Sequence, residues 1–294
     1  MIPMQINGRD IPKDVLVELV KKIKAKKELG VVDQDIVLRE IKRYLGRNSK
    51  VIDLLLKEKR VAKQAIQKNV RAELHRLYGN YSEDYTIRKK KFKKFILEPT
   101  KEKILEILQT HRSTAERISI YEKLYLELFN ITTNPSSILD LGCGMNPLSF
   151  VFMNLESVRY HAADISKPDL ELIQSFFDSN DLIDGTTEMI NLFDIKSKKI
   201  FEDMDKFDVC FLFKVLEIVE QSKSHKISEN IIRQVPAKRV IVSFPKKTIS
   251  GRPMRHPRRG WIERMLQRLC LRYDIISFEN EVFYVIDKNT PKDL

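Results

Sequence analysis

Apolar and polar positions divide the chain into two parts with different periods. In the first part, Val15, Leu16, Leu19, Val20 and Ile23 recur at i, i+1, i+4, i+5 and i+8, which makes one apolar stripe on a helix. Asp33-Gln34-Asp35 supplies a cap for a second helix carrying Ile36, Leu38, Ile41 and Leu45, and Gly46-Arg47-Asn48-Ser49 breaks it. A third helical region spans residues 51–78 and stops at Gly79-Asn80. Residues 89–94 form a basic run with one Phe inside it, and Pro99-Thr100 precedes a further helix over residues 101–110. No strand-like alternation is read before residue 130. The pattern predicts a helical domain of three to five helices over residues 1–107.

After Thr132 the period changes. Pro135-Ser136-Ser137 leads into a short apolar run over residues 138–141. Further strand-like runs follow at residues 159–165, 188–193, 207–213 and 239–244, separated by polar or helical stretches. Strands alternating with helical patterns imply βαβ units and a parallel sheet. Residues 273–278 and 282–286, separated by Glu279-Asn280-Glu281, read as a closing hairpin. Residues 108–294 are therefore expected to form an α/β domain.

Composition narrows the class. A chain of 294 residues with 43% hydrophobic and 32% charged residues has the balance of a soluble globular protein. No run approaches 18 consecutive apolar residues, and the first ten residues lack the basic-then-apolar pattern of a secretion signal. The cysteines Cys143, Cys210 and Cys270 are few and scattered, which argues against a disulfide framework and fits a reducing cytoplasm. The five histidines make no metal-ligand spacing with them, so no metal is expected. The net charge of +12 is organised. Residues 1–110 carry 27 Lys and Arg against 15 Asp and Glu, and the remainder is balanced. Within that remainder, residues 235–272 hold 11 basic residues and one acidic residue. Two basic regions flanking an acidic body attract a polyanion such as RNA. A lysine-rich solvated helix surface is the plainer reading of the N-terminal region alone.

The chemistry gathers at strand ends, where open parallel sheets bind ligands. Asp140-Leu141-Gly142-Cys143-Gly144 is a strand followed by a two-glycine turn, and the glycines let the backbone approach a ligand closely. Asp164 lies at the end of the next strand pattern, 24 residues after Asp140, where a carboxylate can grip ribose hydroxyls. Asp194 ends the following strand pattern and can meet an adenine amino group. Asp164 and Asp194 could instead be loop or helix-cap residues. A nicotinamide dinucleotide enzyme is disfavoured, because Met145-Asn146-Pro147 stands where the third glycine of that fingerprint is needed. Phe211-Leu212-Phe213-Lys214-Val215 lacks the acid-Pro-Pro-aromatic pattern of amino-methylating enzymes. Neither Cys143 nor Cys210 has the Pro-Cys setting of pyrimidine C5 chemistry. A purine ring nitrogen remains attractive, since guanine N7 needs no general base and positioning can carry most of the acceleration.

These motifs also carry a resemblance. His111-Arg112-Ser113-Thr114-Ala115-Glu116-Arg117, the turn from Asp140 through Leu148, Phe213-Lys214-Val215-Leu216, Ser243-Phe244-Pro245 with Gly251-Arg252, and Trp261-Ile262-Glu263 resemble, in order and spacing, the aminoglycoside-resistance 16S rRNA (guanine-N7) methyltransferase family. The match covers residues 105–287, with a weaker echo upstream in Lys26-Lys27, residues 37–44, Arg71-Ala72-Glu73-Leu74-His75 and Gly79-Asn80-Tyr81. The resemblance implies an α/β fold, a Rossmann-like class I methyltransferase sheet with an N-terminal helical domain that grips RNA, and S-adenosylmethionine as cofactor. It implies Arg117 as partner of the methionine carboxylate, and Gly142, Cys143 and Gly144 as the cofactor turn. It further implies Asp164 and Ile165 at the ribose, Phe193 and Asp194 at the adenine, Phe213 beside the cofactor and Lys214 at the methyl-transfer site. Ser243, Lys246, Lys247, Arg252, Arg255, Arg258 and Arg259 would face RNA. For Arg117 the plain alternative is a surface ion pair. For Trp261 it is helix packing, since Ile262, Met265, Leu266 and Leu269 continue an apolar stripe.

One segment departs from the family. After Gly251-Arg252 this chain reads Pro253-Met254-Arg255-His256-Pro257-Arg258-Arg259-Gly260, which is shorter and more basic than the usual segment leading to the Trp. The substrate is expected to be 16S rRNA in its decoding region, with a tRNA guanine as the alternative. A non-catalytic RNA-binding or ribosome-assembly factor is the reading from a different class. A cytoplasmic monomer without membrane association is expected.

Overall fold

A computed structural model describes residues 4–26, 29–30, 32–75, 85–193, 200–220, 224–248 and 250–291. The chain divides into two compact units, Met1–Tyr85 and Thr86–Leu294.

The first unit opens with a hairpin that the sequence reading did not anticipate. β1 (Met4–Ile6) and β2 (Arg9–Ile11) pair antiparallel across Asn7-Gly8, both at positive φ. Asn-Gly with both residues left-handed is a strong short-range hairpin signal, and strands of three residues are too short to show an alternation. Helices α1 (Lys13–Lys24), α2 (Gln34–Arg47), α3 (Ser49–Leu56) and α4 (Arg60–Leu74) follow. The side chain of Asp33 caps α2 by accepting from the amide of Asp35 at 2.7 Å. Leu16, Leu19, Ile23, Val37, Ile41, Leu45, Ile52, Leu55, Ile66 and Val70 are buried, so the predicted stripes do form the core. The third helical region read over residues 51–78 contains two helices, most of α3 and all of α4. The chain turns between them at Glu58, whose φ of +54° gives no Gly or Pro signal in the sequence. Residues 76–80 lie outside the described residues.

The second unit takes in the lysine-rich helix α5 (Tyr85–Leu97) from its second residue on, then α6 (Lys101–Leu108), whose amide at Lys103 is capped by Thr100. α5 belongs here through Arg88, which is fully buried, ion-pairs with Asp169 and donates to the Thr110 hydroxyl at 2.9 Å. Next come α7 (Arg112–Ala115), α8 (Tyr121–Thr132), β3 (Ser137–Leu141), a 3-10 helix (Asn146–Phe152), β4 (Val158–Asp164), α9 (Lys167–Asp178) and β5 (Ile183–Met189). The chain closes with β6 (Phe207–Phe213), α10 (Leu216–Val219), α11 (Lys226–Gln234), β7 (Ala237–Pro245), α12 (Gly260–Arg268), β8 (Leu271–Ser277) and β9 (Glu281–Pro291). Seven strands form one sheet in the order β5-β4-β3-β6-β7-β9-β8. β3 to β7 pair in parallel, and β9 enters antiparallel between β7 and β8. This is the expected α/β sheet, finished by the expected hairpin.

β5 corrects the sequence reading. The expected strand at residues 188–193 ends at Met189 and starts at Ile183. β5 is the edge strand and is mostly polar, with Asp184, Thr186, Glu188 and Met189 exposed, so its pattern gives little apolar signal. Ile190 and Leu192, read as strand, are buried in the core beyond its end.

Candidate functional site

The carboxyl ends of β3 and β4 form one hydrogen-bonded corner. Gly142 and Gly144 both adopt positive φ, at +66° and +51°. A Cβ on Gly142 would stand 2.6 Å from a Val215 methyl, and one on Gly144 2.7 Å from Nε2 of His111. Both glycines are thus required by conformation and by packing. The amides of Gly142 and Cys143 donate to the Ala163 carbonyl at 2.7 and 3.1 Å. The Gly144 amide donates to Oδ2 of Asp164 at 2.9 Å. Oδ1 of Asp164 accepts from the amides of Ile165 and Ser166 at 2.7 and 3.0 Å. Burial raises the Asp164 carboxyl above the ordinary aspartate range, and those three amides work in the opposite direction.

Behind the turn lies a buried polar chain. Asp140 accepts from Asn146 Nδ2 at 2.9 Å and from the Tyr160 hydroxyl at 2.7 Å, and burial lifts its pKa to about 6. Oδ1 of Asn146 faces the Tyr121 hydroxyl at 3.3 Å and Nη1 of Arg117 at 3.5 Å. Asn146 thus does more than end the turn: it links the strand carboxylate Asp140 to Arg117. Burial and the charges of Arg88, Arg117 and Lys214 hold the His111 imidazole well below its ordinary pKa, so the ring against Gly144 is neutral.

The second cluster sits where β6, β7 and β9 meet. Lys214 follows the end of β6 with φ +60°, a conformation that is costly for a non-glycine residue. Its amide donates to the Ser243 hydroxyl at 3.0 Å and the Ser243 carbonyl at 3.2 Å. Its Nζ lies 2.6 Å from Glu116 and 3.1 Å from Glu281. Arg117 is buried, grips Glu281 through Nε and Nη2 at 3.0 and 2.9 Å, and lies over the Phe213 ring at 4.7 Å from its centroid. The Ser243 hydroxyl also donates to Glu281. Burial raises the Glu281 carboxyl, but the Arg117 and Lys214 charges more than reverse this and leave it below the ordinary glutamate range.

The structure therefore brings Arg117, Phe213, Lys214 and Ser243 into one network, and Gly142, Cys143, Gly144, Asp164 and Ile165 into the adjoining corner. Phe193 is half-buried, packs against the main core and donates its amide to Asn191 Oδ1 at 3.2 Å. Asp194 lies outside the described residues, and β5 ends five residues before it. Ser243 corrects its expected role: it is fully buried and its hydroxyl is spent on Glu281 and Lys214, so it does not face RNA. Lys246 is half-buried and donates to the Phe278 carbonyl at 2.5 Å, and Lys247 pairs with exposed Glu279 at 2.6 Å. Arg252 and Arg255 are exposed, and Arg258 is exposed and pairs with Glu263. Arg259 is half-buried, pairs with Glu217 at 2.6 Å and donates to the Pro245 carbonyl at 2.9 Å, so it fastens the basic loop to the end of β7. Trp261 stacks on His225 at 4.1 Å and meets Phe244 edge-on, a packing role. Glu116, Asn146 and Glu281 were missed as site residues, and Glu281, read as part of the hairpin turn, is the first residue of β9. Among the described residues, no group of His, Cys, Asp and Glu is arranged to hold a metal, and no helix is long and apolar enough to cross a membrane.

Comparison with known proteins gives a concordant result. The family model of the ribosomal RNA methyltransferase FmrO matches residues 42–285. The 16S rRNA (guanine(1405)-N(7))-methyltransferase of Proteus mirabilis is 32% identical over 205 residues, covering 64% of this chain and 70% of that protein. The structure of the 16S rRNA methyltransferase RmtF in complex with S-adenosyl-L-homocysteine superposes with a TM-score of 0.72 at 18% identity, over 94% of this chain and 99% of that one. The 16S rRNA methylase RmtB gives 0.70 at 22% identity, over 93% and 98%. At such identities the structural likeness shows the fold, while the family match spans both the glycine corner and the Lys214 network. The chain belongs to the FmrO family of ribosomal RNA methyltransferases.

Proposed function

We propose that this chain transfers a methyl group from S-adenosylmethionine to N7 of a guanine in 16S rRNA, acting as a cytoplasmic monomer. The observation that carries the reading is the family match over residues 42–285, which contains every residue of the corner and the network. The P. mirabilis relative is named for this reaction at guanine 1405 of 16S rRNA.

The residues present fit the cofactor. Gly142 is exposed at the turn and carries no side chain, so a ligand can approach its backbone closely. A carboxylate has roughly four acceptor sites, and three amides occupy three on Asp164, which leaves one for a ribose hydroxyl. Nε and Nη2 of Arg117 are committed to Glu281, so Nη1, whose contact with Asn146 is long at 3.5 Å, is the edge we assign to the methionine carboxylate. Phe193 and Asp194 are assigned to the adenine. When bound, the cofactor supplies an electrophilic methyl group on a sulfonium sulfur.

Guanine N7 presents a lone pair in the ring plane, so the chain need not remove a proton. Lys214, held by two carboxylates, donates to O6, the acceptor beside N7, and fixes the purine's angle of approach. As positive charge passes to the purine, Glu116 and Glu281 offset the two cations beside it. Arg252, Arg255 and Arg258, with Lys246 and Lys247, meet the RNA backbone. The exposed Lys89, Lys90, Lys93 and Lys94 of α5 lie opposite its buried Arg88, Phe92 and Phe95 and add a second phosphate-binding face.

The test is to offer labelled S-adenosylmethionine with either small ribosomal subunits or tRNA. Label in 16S rRNA is expected, whereas label confined to tRNA would move the substrate to the alternative. Failure of calorimetry to detect binding of S-adenosylhomocysteine would favour a non-catalytic factor.

A further inference from the structure

We infer that Glu281 is a positioning residue of the methyl-transfer site, setting Lys214 through one buried carboxylate that it shares with Arg117. The inference rests on the proposed function, because it assigns those two cations their roles.

Glu281 is fully buried at the start of β9, where its backbone pairs with Pro245 of β7. Its two oxygens receive Nε and Nη2 of Arg117, Nζ of Lys214 and the hydroxyl of Ser243. Those partners come from the segment after α7, the end of β6 and the end of β7. The Ser243 hydroxyl extends the control to the main chain, because it also accepts the amide of Lys214. A relay from carboxylate to hydroxyl to amide therefore runs to the left-handed residue that carries the ammonium group. Both ends of Lys214, its backbone and its Nζ, refer to the same carboxylate. The other anion at Lys214, Glu116, is partly exposed and shared with Arg112, so it is the less fixed of the two.

A purely structural ion pair would make the same contacts but a different prediction. In Glu281→Gln the shape is kept, yet the amide has one acceptor oxygen and one group that only donates. Arg117 donates to both oxygens and Lys214 to Oε2, so whichever oxygen becomes the NH2 group then faces at least one of these donors. If Glu281 acts through Lys214, its loss should disturb turnover and leave cofactor affinity in place, because the Arg117 edge assigned to the methionine carboxylate is Nη1, which Glu281 does not hold.

The experiment is a double-mutant cycle on the full chain with Glu281→Gln, Lys214→Ala and both together. It is read by kcat on small ribosomal subunits, by KM for those subunits and by the Kd for S-adenosylhomocysteine. Glu281→Gln is expected to lower kcat about 100-fold while KM and Kd hold within about twofold. The double variant is expected to be no slower than Lys214→Ala alone, as residues acting as one unit are non-additive. Losses that multiply in the double variant, wild-type kcat in Glu281→Gln, or a Kd weakened in step with kcat would each overturn the inference. Should Glu281→Gln fail to fold, Glu281→Asp keeps the charge but draws it back. It is expected to give the same loss confined to kcat, and wild-type turnover there would overturn the inference. If the wild-type chain itself methylates no RNA, the proposed function fails instead, which separates the two.

Discussion

The two basic regions of the second unit use the same residue types in opposite ways. In the network under Phe213, Arg117 and Lys214 are buried and each meets a carboxylate of Glu281 within 3.1 Å. In the loop from Lys246 to Arg259, Arg252, Arg255 and Arg258 are exposed, and Lys247 pairs with exposed Glu279. Buried pairs repay their desolvation only when the geometry is good and every donor is satisfied. Exposed pairs are weak, screened by salt and exchangeable for phosphate. The contrast assigns geometry to the first set and RNA attraction to the second. Net charge alone merges the two.

Three measurements sharpen the comparison. The largest effect is expected at the corner beside the network, where Asp164→Ala removes the acceptor of three amides and the ribose partner. S-adenosylhomocysteine affinity should fall about 100-fold or more, since hydrogen bonds to a charged group are worth about 1.5–3 kcal/mol each. Calorimetry checks this, and RNA affinity measured without cofactor should not change.

The next effect concerns pH. Burial lifts Asp140 to about 6, while an unfolded aspartate titrates near about 3.9. The folded state therefore keeps this proton to higher pH than the unfolded state does. Its contribution to stability is full below about pH 4 and is lost as pH rises through about 6. Denaturant unfolding from pH 4 to 7 should show this decline, and Asp140→Asn should flatten it relative to the unsubstituted chain. A steeper decline in the variant would break the account of the buried chain through Asn146.

The smallest effect belongs to the surface set. Arg252→Gln and Arg255→Gln should each weaken RNA binding several-fold at low salt and lower the salt slope by about 0.7–0.9. S-adenosylhomocysteine affinity should be untouched. Loss of cofactor binding in either variant would erase the distinction between the regions.

Where the sequence was legible, the reason is local. β6 is a buried central strand with an apolar run from Phe207 to Phe213, and its observed bounds are those read from the pattern. The turn at Gly142 and Gly144 was legible because left-handed backbone selects glycine. β5 was displaced because an edge strand needs little apolar surface, while Ile190 and Leu192 beyond its end are the residues that reach the core. The β1–β2 hairpin carried a readable Asn7-Gly8 signal that its short strands did not reinforce. Glu281 had no local signal. Its partner Arg117 is 164 residues away, and an acid after Asn280 in a hairpin reads as a solvated turn residue. Ser243 was placed on the RNA side for the same reason: its motif named it, but only the register of β7 against β6 and β9 shows that it points into the network.

The most direct test of the central claim is the identity of the methylated nucleoside. Small ribosomal subunits treated with the chain and methyl-labelled S-adenosylmethionine would be stripped to 16S rRNA, digested to nucleosides and separated. The label should appear in 7-methylguanosine, and Lys214→Ala should slow its appearance sharply. Label in any other nucleoside, or none in 16S rRNA when the cofactor is bound, would contradict the account.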